Sequence, residues 1–391
     1  MSARRGLRLA VAAAAVAAVS LDLSAPGFAI ANRGADKSGV GAVGAVRVFA
    51  HVPSPGYPAL TLVAPGGRRM GRRVYVSTFT GVNGGTPGPS KVFAYSPGGK
   101  LRRTYVLRGE TPGADNHAVQ VAARDRRGRL YLLDQQPPRI VRLDPRTGRQ
   151  RTWATFRDLP TCSAANRPNN CSNTVSDNPP EPDYATWLPD GSMLVTDYAQ
   201  QLIWWVGRHG GRARVWVNDA RFDGEQFGPA GIVLAPHHGS IYLTVSAGGV
   251  TTSGTSHDTT TGKLYRVWID SAGHPKKIRQ LWASGRAQAP DGFAMSRAGR
   301  IFVALSGPSG NCVAELARGS HGHFHVARRF PATAAAGAAS SPPWDTPTSV
   351  QFLGRSILVT NQAYFTGDAS HMVVFRVAVG QRGQPIYVPR R

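Results

Sequence analysis

A short pattern of two apolar strands joined by a glycine-containing turn returns six times along this chain of 391 residues. It is clearest at Pro290-Asp291-Gly292-Phe293-Ala294-Met295, where the turn Ala298-Gly299-Arg300 leads into the strand Ile301-Phe302-Val303-Ala304. A repeat of this length predicts one supersecondary unit stacked many times. Functional residues are then expected where equivalent positions of the units converge.

Alignment of the units places the starts of their first strands at six equivalent positions. The second strands, such as Leu130-Tyr131-Leu132-Leu133 and Ile241-Tyr242-Leu243, are rich in the β-branched and aromatic residues that favour a packed sheet. The six predicted first-strand starts are Ala59, Gln120, Asp183, Ala230, Asp291 and Thr348.

One additional strand precedes the first unit. The segment Val46-Arg47-Val48-Phe49-Ala50-His51-Val52 resembles the fourth strands of later units, whereas the last unit continues after Arg376 only into a tail with Gly and Pro. The sequence therefore predicts an all-β fold: a six-bladed β-propeller closed by an N-terminal strand in the last blade, which protects the sheet edges. A two-domain β-sandwich is the alternative, and it predicts no closing strand.

The N-terminus has the pattern of an export signal. Arg4, Arg5 and Arg8 precede the apolar stretch from Leu9 to Leu21, and small residues follow near Ala31. We expect residues 1–31 to be a secretory signal peptide, 32–45 a flexible leader, and 46–391 a single propeller domain outside the cytoplasm. Paired arginines also occur in twin-arginine signals, so the export route stays open.

The cysteines are interpreted in the same context. Cys162 and Cys171 lie in one polar loop, and an exported protein meets an oxidising environment, so we predict that they form a disulfide. Cys312 is expected to be buried as a small apolar side chain. The three cysteines lack the paired spacing of a zinc site.

The formal net charge is +24, and most of it comes from arginine. Nucleic acid is excluded as an expected partner, because no basic stripe with interleaved aromatic residues or known reader motif is present. Arginines concentrate instead in the turns between first and second strands, which predicts one cationic rim that is simply solvated or associates weakly with an anionic wall polymer. We expect a monomer. The turn arginines are Arg68, Arg69, Arg72, Arg73, Arg124, Arg126, Arg127, Arg129, Arg297, Arg300 and Arg355.

Candidate site residues follow from propeller geometry, because the first-strand starts surround one mouth of the central channel. Convergent oxygen ligands suit a hard divalent cation such as calcium. The predicted metal ligands are Asp291, Asp183 and Glu181, and the predicted substrate-binding residues are His117, Gln120 and Asn361. Asp134 and Asp197, at second-strand ends, are expected to bond backbone amides instead.

The units around Pro290-Asp291-Gly292-Phe293-Ala294 and Gly228-Pro229-Ala230-Gly231-Ile232 resemble the senescence marker protein and gluconolactonase family of six-bladed propellers. The resemblance implies divalent-metal-dependent lactonases or related ester hydrolases, with the ion held by a Glu, Asn residues and an Asp. Asp291 matches the family's Pro-Asp-Gly acid, which contacts metal and is the expected general base. Ala230 stands where the family has Asn, and no acid lies near Pro55-Gly56-Tyr57-Pro58.

Three functions remain open at this point, one of which is a structural or scaffolding propeller whose cationic rim is the working surface. The leading hypothesis is an exported metal-dependent hydrolase of the lactonase or esterase type, in which a metal polarises a small ester or lactone and Asp291 deprotonates the attacking water. The alternative is a non-catalytic propeller that binds a sugar, peptide or cell-wall ligand at the same mouth.

Overall fold

The strand order in space is that of a closed ring. The computed structural model describes residues 41–66, 71–80, 88–111, 118–163, 171–172, 178–222, 227–247 and 260–390. Within them, the strands of the first half are β1 (Val46–His51), β2 (Pro58–Ala64), β3 (Arg73–Thr78), β4 (Lys91–Tyr95), β5 (Leu101–Val106), β6 (Val119–Arg124), β7 (Leu130–Gln135), β8 (Pro138–Leu143), β9 (Gln150–Thr155), β10 (Pro182–Trp187), β11 (Met193–Asp197), β12 (Leu202–Val206), β13 (Gly211–Arg212) and β14 (Arg214–Val217).

The second half continues with the same four-strand unit. Its strands are β15 (Pro229–Leu234), β16 (Ser240–Val245), β17 (Thr261–Ile269), β18 (Pro275–Arg286), β19 (Pro290–Met295), β20 (Ile301–Leu305), β21 (Cys312–Arg318), β22 (Phe324–Phe330), β23 (Pro347–Leu353), β24 (Ser356–Asn361) and β25 (Val373–Ala378). Helical turns are short: 3₁₀ helices at Ala220–Phe222, Ser320–Gly322 and Ala369–His371, and the helix α1 (Ala334–Ala338). None of the described helices is long and apolar enough to cross a membrane.

These strands form six antiparallel sheets, the blades of a β-propeller. Blades 1 to 5 begin with β2, β6, β10, β15 and β19. Blades 1, 4 and 5 are built from four consecutive strands, blade 3 from β10, β11, β12 and β14, and blade 2 from β6 to β9 with β13 added parallel to β9. Blade 6 has the order β1-β25-β24-β23, in which Val46 pairs with Val377 and His51 pairs with Val373. The predicted fold and its closing N-terminal strand are confirmed. The six predicted first-strand starts are confirmed too, because each is the second residue of its blade's innermost strand.

The core is divided among the blade interfaces. Six apolar clusters are present, and each joins two adjacent blades. The cluster between blades 6 and 1 contains Phe49 of β1, Val74 of β3 and Leu358 of β24. Apolar burial of this kind stabilises by about 25 cal/mol per Å², so closure of the ring is supported by side-chain packing as well as by the β1 to β25 ladder.

The three cysteines behave as the sequence predicts. Cys162 and Cys171 are joined by a disulfide, and Cys312 is free and buried. Tryptophans also pack between blades, as in the contact of Trp153 with Trp187 across the interface of blades 2 and 3, where the ring centroids are 5.9 Å apart.

The C-terminal segment after β25 crosses the end of the channel opposite the first-strand starts. Ser296 pairs with Gly383, and the backbone N–H of Gln384 donates to the carbonyl of Met295 at 2.8 Å. Residues 384–387 then line a cavity of about 100 Å³ together with the innermost strands, and the Tyr387 ring packs on His238 with centroids 4.5 Å apart. The tail therefore covers this end of the channel.

Candidate functional site

The opposite mouth of the channel holds a larger cavity of about 280 Å³. All six first-strand starts line it, and we call them the inner ring: Ala59, Gln120, Asp183, Ala230, Asp291 and Thr348. The repeat thus brings residues that are far apart in the chain to one concave site, where a small-molecule ligand is expected.

Local backbone geometry explains why the inner ring faces the cavity. In five blades the innermost strand begins with proline, a residue tolerated at a strand's first position because it lacks an N–H. Directly after that proline the register shifts, so that two residues of the first strand oppose one of the second. Such β-bulges redirect side chains next to active sites. In blade 3 both Asp183 and the following residue, Tyr184, consequently line the cavity.

Hydroxyl groups of the second strands fix these bulges. The hydroxyl of Thr196 accepts a hydrogen bond from the Tyr184 N–H at 2.9 Å, and Ser77 and Thr360 do the same in blades 1 and 6 at 3.2 and 2.8 Å. In blade 4, Thr244 reaches across to the next blade and donates to the carbonyl of Asp291 at 2.7 Å. Hydrogen bonds from within the same blade and from the neighbouring blade therefore fix the backbone at the inner ring.

Two carboxyl groups of the inner ring affect each other electrostatically. Asp183 is only 6% exposed, and burial together with the negative charge of Asp291 raises its pKa well above its usual range. Burial raises the pKa of Asp291 to about 7, although hydrogen bonds from the Tyr184 hydroxyl and the Gly292 N–H oppose the shift. Both carboxyl groups therefore retain a proton to higher pH than an exposed aspartate, and the negative charge of Asp291 favours the protonated form of Asp183.

The Tyr184 phenol crosses the channel. Its hydroxyl lies 3.1 Å from the carbonyl of Thr348 in blade 6 and also bonds to the Asp291 carboxylate. Tyr184 lines both channel cavities. A Cβ atom at Gly292 would lie 2.2 Å from this hydroxyl, which explains why glycine follows Asp291.

Gln120 completes the acidic part of the site. Its side-chain N–H donates to Asp183 Oδ1 at 2.9 Å. Its Oε1 is buried and has no partner among the described residues. A buried acceptor without a partner carries a desolvation cost, so this oxygen is available to a ligand donor or a bound water.

Three other predicted site residues are placed differently. Asn361 does not line the cavity: its Oδ1 accepts from the Asp345 N–H, and its Nδ2 donates to two backbone carbonyls at 2.9 and 2.7 Å. Glu181 is hydrogen-bonded to the Tyr198 hydroxyl and is not one of the described lining residues. His117 lies outside the described residues. The structure brings together Asp183, Asp291 and Gln120.

The described donors do not fit a calcium site. Calcium takes roughly six to eight oxygen ligands. The inner ring supplies two carboxylates, and its alanines at Ala59 and Ala230 supply no side-chain ligand. Within the described ranges, no three Asp, Glu, His or Cys side chains converge as an ion would require.

Aromatic side chains form the wall of the cavity, and sequence reasoning did not identify them. Phe79 and Tyr198 each follow the last residue of a second strand, whereas Phe227, Tyr364 and Phe365 lie in loops. Tyr198 stacks on Phe227 with centroids 5.9 Å apart. The position after a second-strand end would have been a usable signal, because Ser246, Ser306 and Gln362 occupy it in other blades and also line the cavity.

Comparisons with known proteins were made for the whole chain. No family model matches, and no curated protein matches. Among solved structures, regucalcin from Agrobacterium tumefaciens strain C58, described as a calcium-binding protein, is similar with a TM-score of 0.55 and 15% identity over 89% of this chain and 98% of that one. A luciferin-regenerating enzyme gives 0.53 and 13%, covering 88% and 99%. A proposed gluconolactonase gives 0.50 and 14%, covering 89% and 95%.

These identities show a likeness of fold. The resemblance inferred from the sequence, to the senescence marker protein and gluconolactonase group of six-bladed propellers, is confirmed at that level. The chain shares the architecture over nearly the full length of those proteins.

Proposed function

We propose that the protein hydrolyses a small ester or lactone in the inner-ring cavity. The observation that supports this most is the placement of two carboxyl groups, Asp183 and Asp291, in one mostly apolar cavity whose walls raise both pKa values. Strongly shifted carboxyl groups in a concave pocket are typical of general acid and base residues. The lactonase-type names of similar propellers agree with this chemistry.

Asp291 serves as the general base. A base works best when its pKa lies near the working pH, and that of Asp291 is about 7. Its carboxylate takes a proton from water while the water oxygen bonds to the acyl carbon. The hydrogen bonds from Tyr184 and Gly292 orient the carboxylate toward the cavity.

Asp183 serves as the general acid. While Asp291 is ionised, its charge favours the protonated form of Asp183, which can donate a hydrogen bond to the substrate carbonyl oxygen. When the tetrahedral intermediate collapses, the bond from the acyl carbon to the alkoxy oxygen breaks and that oxygen takes the proton of Asp183. A proton transfer from Asp291 to Asp183 then restores the starting state, so the cycle consumes only water.

The decisive experiment compares two Pro-Asp-Gly triplets in one chain. Asp291→Asn removes the base, whereas Asp190→Asn alters an exposed acid in the turn Pro189-Asp190-Gly191, where its carboxylate bonds to Ser192. With lactones and esters in a pH-stat assay, we expect kcat/KM of Asp291→Asn to fall by about 10² to 10⁴ and that of Asp190→Asn to remain unchanged. Equal activity in the two variants would remove Asp291 from the mechanism.

The calcium requirement expected from the sequence remains a prediction, supported by the calcium-binding description of the regucalcin structure. Treatment with a chelator tests it in the same assay. The carboxyl-pair mechanism predicts unchanged activity. Loss on chelation with recovery on added calcium would instead establish the metal-dependent route.

Binding without turnover is the second candidate, and the alanines at Ala59 and Ala230 favour it because they widen the cavity without adding reactive groups. In that case a ligand would raise the melting temperature of the wild type and of Asp291→Asn alike. No lactone or ester would be hydrolysed by either protein.

We also propose that the protein acts outside the cytoplasm. The disulfide between Cys162 and Cys171 supports this, since such bonds persist in oxidising compartments. Fractionation of expressing cells tests it: the oxidised, shortened protein is expected in the extracytoplasmic fraction. A full-length, reduced chain in the cytoplasm would contradict the proposal.

A further inference from the structure

The charge of the cavity differs from that of the molecule. The chain carries 46 Lys and Arg residues against 22 Asp and Glu. Yet among the described residues that line the cavity there is no lysine, arginine or histidine, and the charged side chains are Asp183 and Asp291. A carboxylate-bearing ligand would thus meet two acids and no described cation, which disfavours it.

The mouth of the cavity is apolar. Phe227 and Phe365 are 38% and 54% exposed, and they are two of the few large apolar side chains on the described surface that are exposed to this extent. Tyr364 packs edge-on against Phe365 with centroids 5.0 Å apart and lies 6.2 Å from the ring of Phe79. Exposed apolar groups gathered at a pocket mark a binding surface for apolar ligands.

Hydroxyl groups that line the cavity are engaged by the protein itself. Ser246 donates to the carbonyl of Pro290 at 2.8 Å, Ser306 to that of Ala289 at 2.9 Å, and Thr348 to that of Ala59 at 3.0 Å. Each hydroxyl has one proton, so these three groups can accept from a ligand but have no proton left to donate to it. A polyhydroxylated ligand would lose its hydration and recover fewer hydrogen bonds than it makes in water.

We infer that the cavity selects an uncharged ester or lactone with an alkyl or aryl substituent and discriminates against polyhydroxylated and carboxylated lactones. This inference rests on the proposed hydrolysis and specifies its substrate class. The polar end of the substrate lies at Asp183, Asp291 and Gln120, and its apolar part lies between Phe227 and Phe365. The cavity of about 280 Å³ has room for roughly nine waters' volume, so a single short chain or ring fits.

A matched series of six-membered lactones tests the inference, because the reacting ring stays constant. δ-Valerolactone and its alkyl derivatives of increasing length are compared with glucono-δ-lactone. We expect kcat/KM to rise about fourfold per methylene until the cavity is filled, since one buried methylene contributes about 0.8 kcal/mol. Glucono-δ-lactone is expected to be at least about 100-fold poorer than the best alkyl lactone. A gluconolactone preference, or no dependence on chain length, would overturn the inference.

Two variants test where the apolar part of the substrate binds. Phe365→Ser is expected to lower kcat/KM about tenfold for the longer alkyl lactones and to leave unsubstituted δ-valerolactone unchanged. Leu101→Ser is the control, because Leu101 is also exposed, at 41%, but lies in β5 away from the cavity. Equal losses for long and short lactones in Phe365→Ser would show that Phe365 does not contact the chain.

Failure of hydrolysis and failure of this inference are distinguishable. If no lactone is turned over, binding of the corresponding alkyl lactams and of gluconolactam is measured by calorimetry with the full-length protein. Tighter binding of the alkyl lactams supports the ligand class although catalysis is absent. Equal or tighter binding of gluconolactam refutes it.

Discussion

The inner ring and the ends of the second strands are adjacent around the same channel mouth, yet their polar residues are used differently. At second-strand ends, Asp197 accepts hydrogen bonds from the N–H groups of Glu181, Gln200 and the Trp204 indole. In the inner ring, Asp183 receives one described hydrogen bond, from Gln120, and Asp291 retains access to the cavity. Residues of the first kind fix loops and strands within their own blade, and residues of the second kind remain available to a ligand.

A raised pKa alone does not separate the two groups. Burial raises the pKa of Asp197 to about 7 and that of Asp134 to about 6, in spite of their hydrogen bonds, as it raises that of Asp291. The difference lies in access to the cavity, which Asp183 and Asp291 line and Asp134 and Asp197 do not. Substitution of matched acids tests this difference.

The largest effect is expected on catalysis. Asp291→Asn should lower kcat/KM by at least about 100-fold, because the amide cannot accept the proton of water. Asp134→Asn, at a second-strand end that does not line the cavity, should leave kcat/KM of the folded fraction within about twofold. Steady-state kinetics on protein shown to be folded by circular dichroism checks both. Similar losses in both variants would mean that the two groups do not differ in function.

The next effect is expected on stability. In Asp197→Asn, one amide oxygen replaces the two carboxylate oxygens that accept hydrogen bonds from three buried donors. We therefore expect the free energy of unfolding to fall by about 2 to 4 kcal/mol. Asp291→Asn should not lower it at neutral pH, because the uncharged amide avoids the cost of burying a carboxylate. Urea denaturation followed by tryptophan fluorescence measures both values. The reverse order would contradict the assignment of structural and functional acids.

A smaller effect is expected from pH. The folded-state pKa of Asp291, about 7, exceeds its unfolded value of 3.8, so the folded protein binds more protons and loses stability as pH rises from about 4 to 7. Asp291→Asn removes this loss. The variant should match the wild type near pH 4 and exceed it by about 1 to 2 kcal/mol above pH 7, a value that allows for cavity water. If the free energies of unfolding of wild type and variant change in parallel with pH, the pKa of Asp291 is not raised by folding.

The smallest effect is expected at Tyr184. Tyr184→Phe removes a hydrogen bond to Asp291 but keeps the ring that lines both channel cavities. We expect the lower inflection of the kcat/KM profile to move upward in pH, because that bond lowers the pKa of Asp291, and stability to change by about 1 kcal/mol or less. An unchanged pH profile would show that the phenol does not act on the base.

The repeated unit and its regular strand spacing were enough to predict much of the fold from the sequence. The equivalent positions at Ala59, Gln120, Asp183, Ala230, Asp291 and Thr348 could be found because each blade repeats the same strand spacing. The closing strand could be found because β1 has the composition of an outer strand without a unit of its own. Convergence of Asp183 and Asp291 then followed from ring geometry.

The rest of the site depends on features that strand periodicity does not encode. Side chains alternate along a strand, so a shift of one residue exchanges the cavity face for the blade interior. Asn361 was therefore predicted as a cavity residue, while its successor Gln362 lines the cavity. The bulge that brings Tyr184 beside Asp183 adds a residue without a sequence signal, and Phe227 and Phe365 lie on loops whose course no repeat specifies.

The C-terminal segment has a consequence for how molecules enter and leave the site. Gln384 to Tyr387 line the cavity at one end of the central tunnel, and Tyr184 lines both that cavity and the one that holds the acids. Among the described residues, Phe227 and Phe365 line the cavity with the acids and are exposed to solvent. Bulkier side chains at these two positions would slow both the arrival of substrate and the departure of product, so turnover would fall while residence time would lengthen.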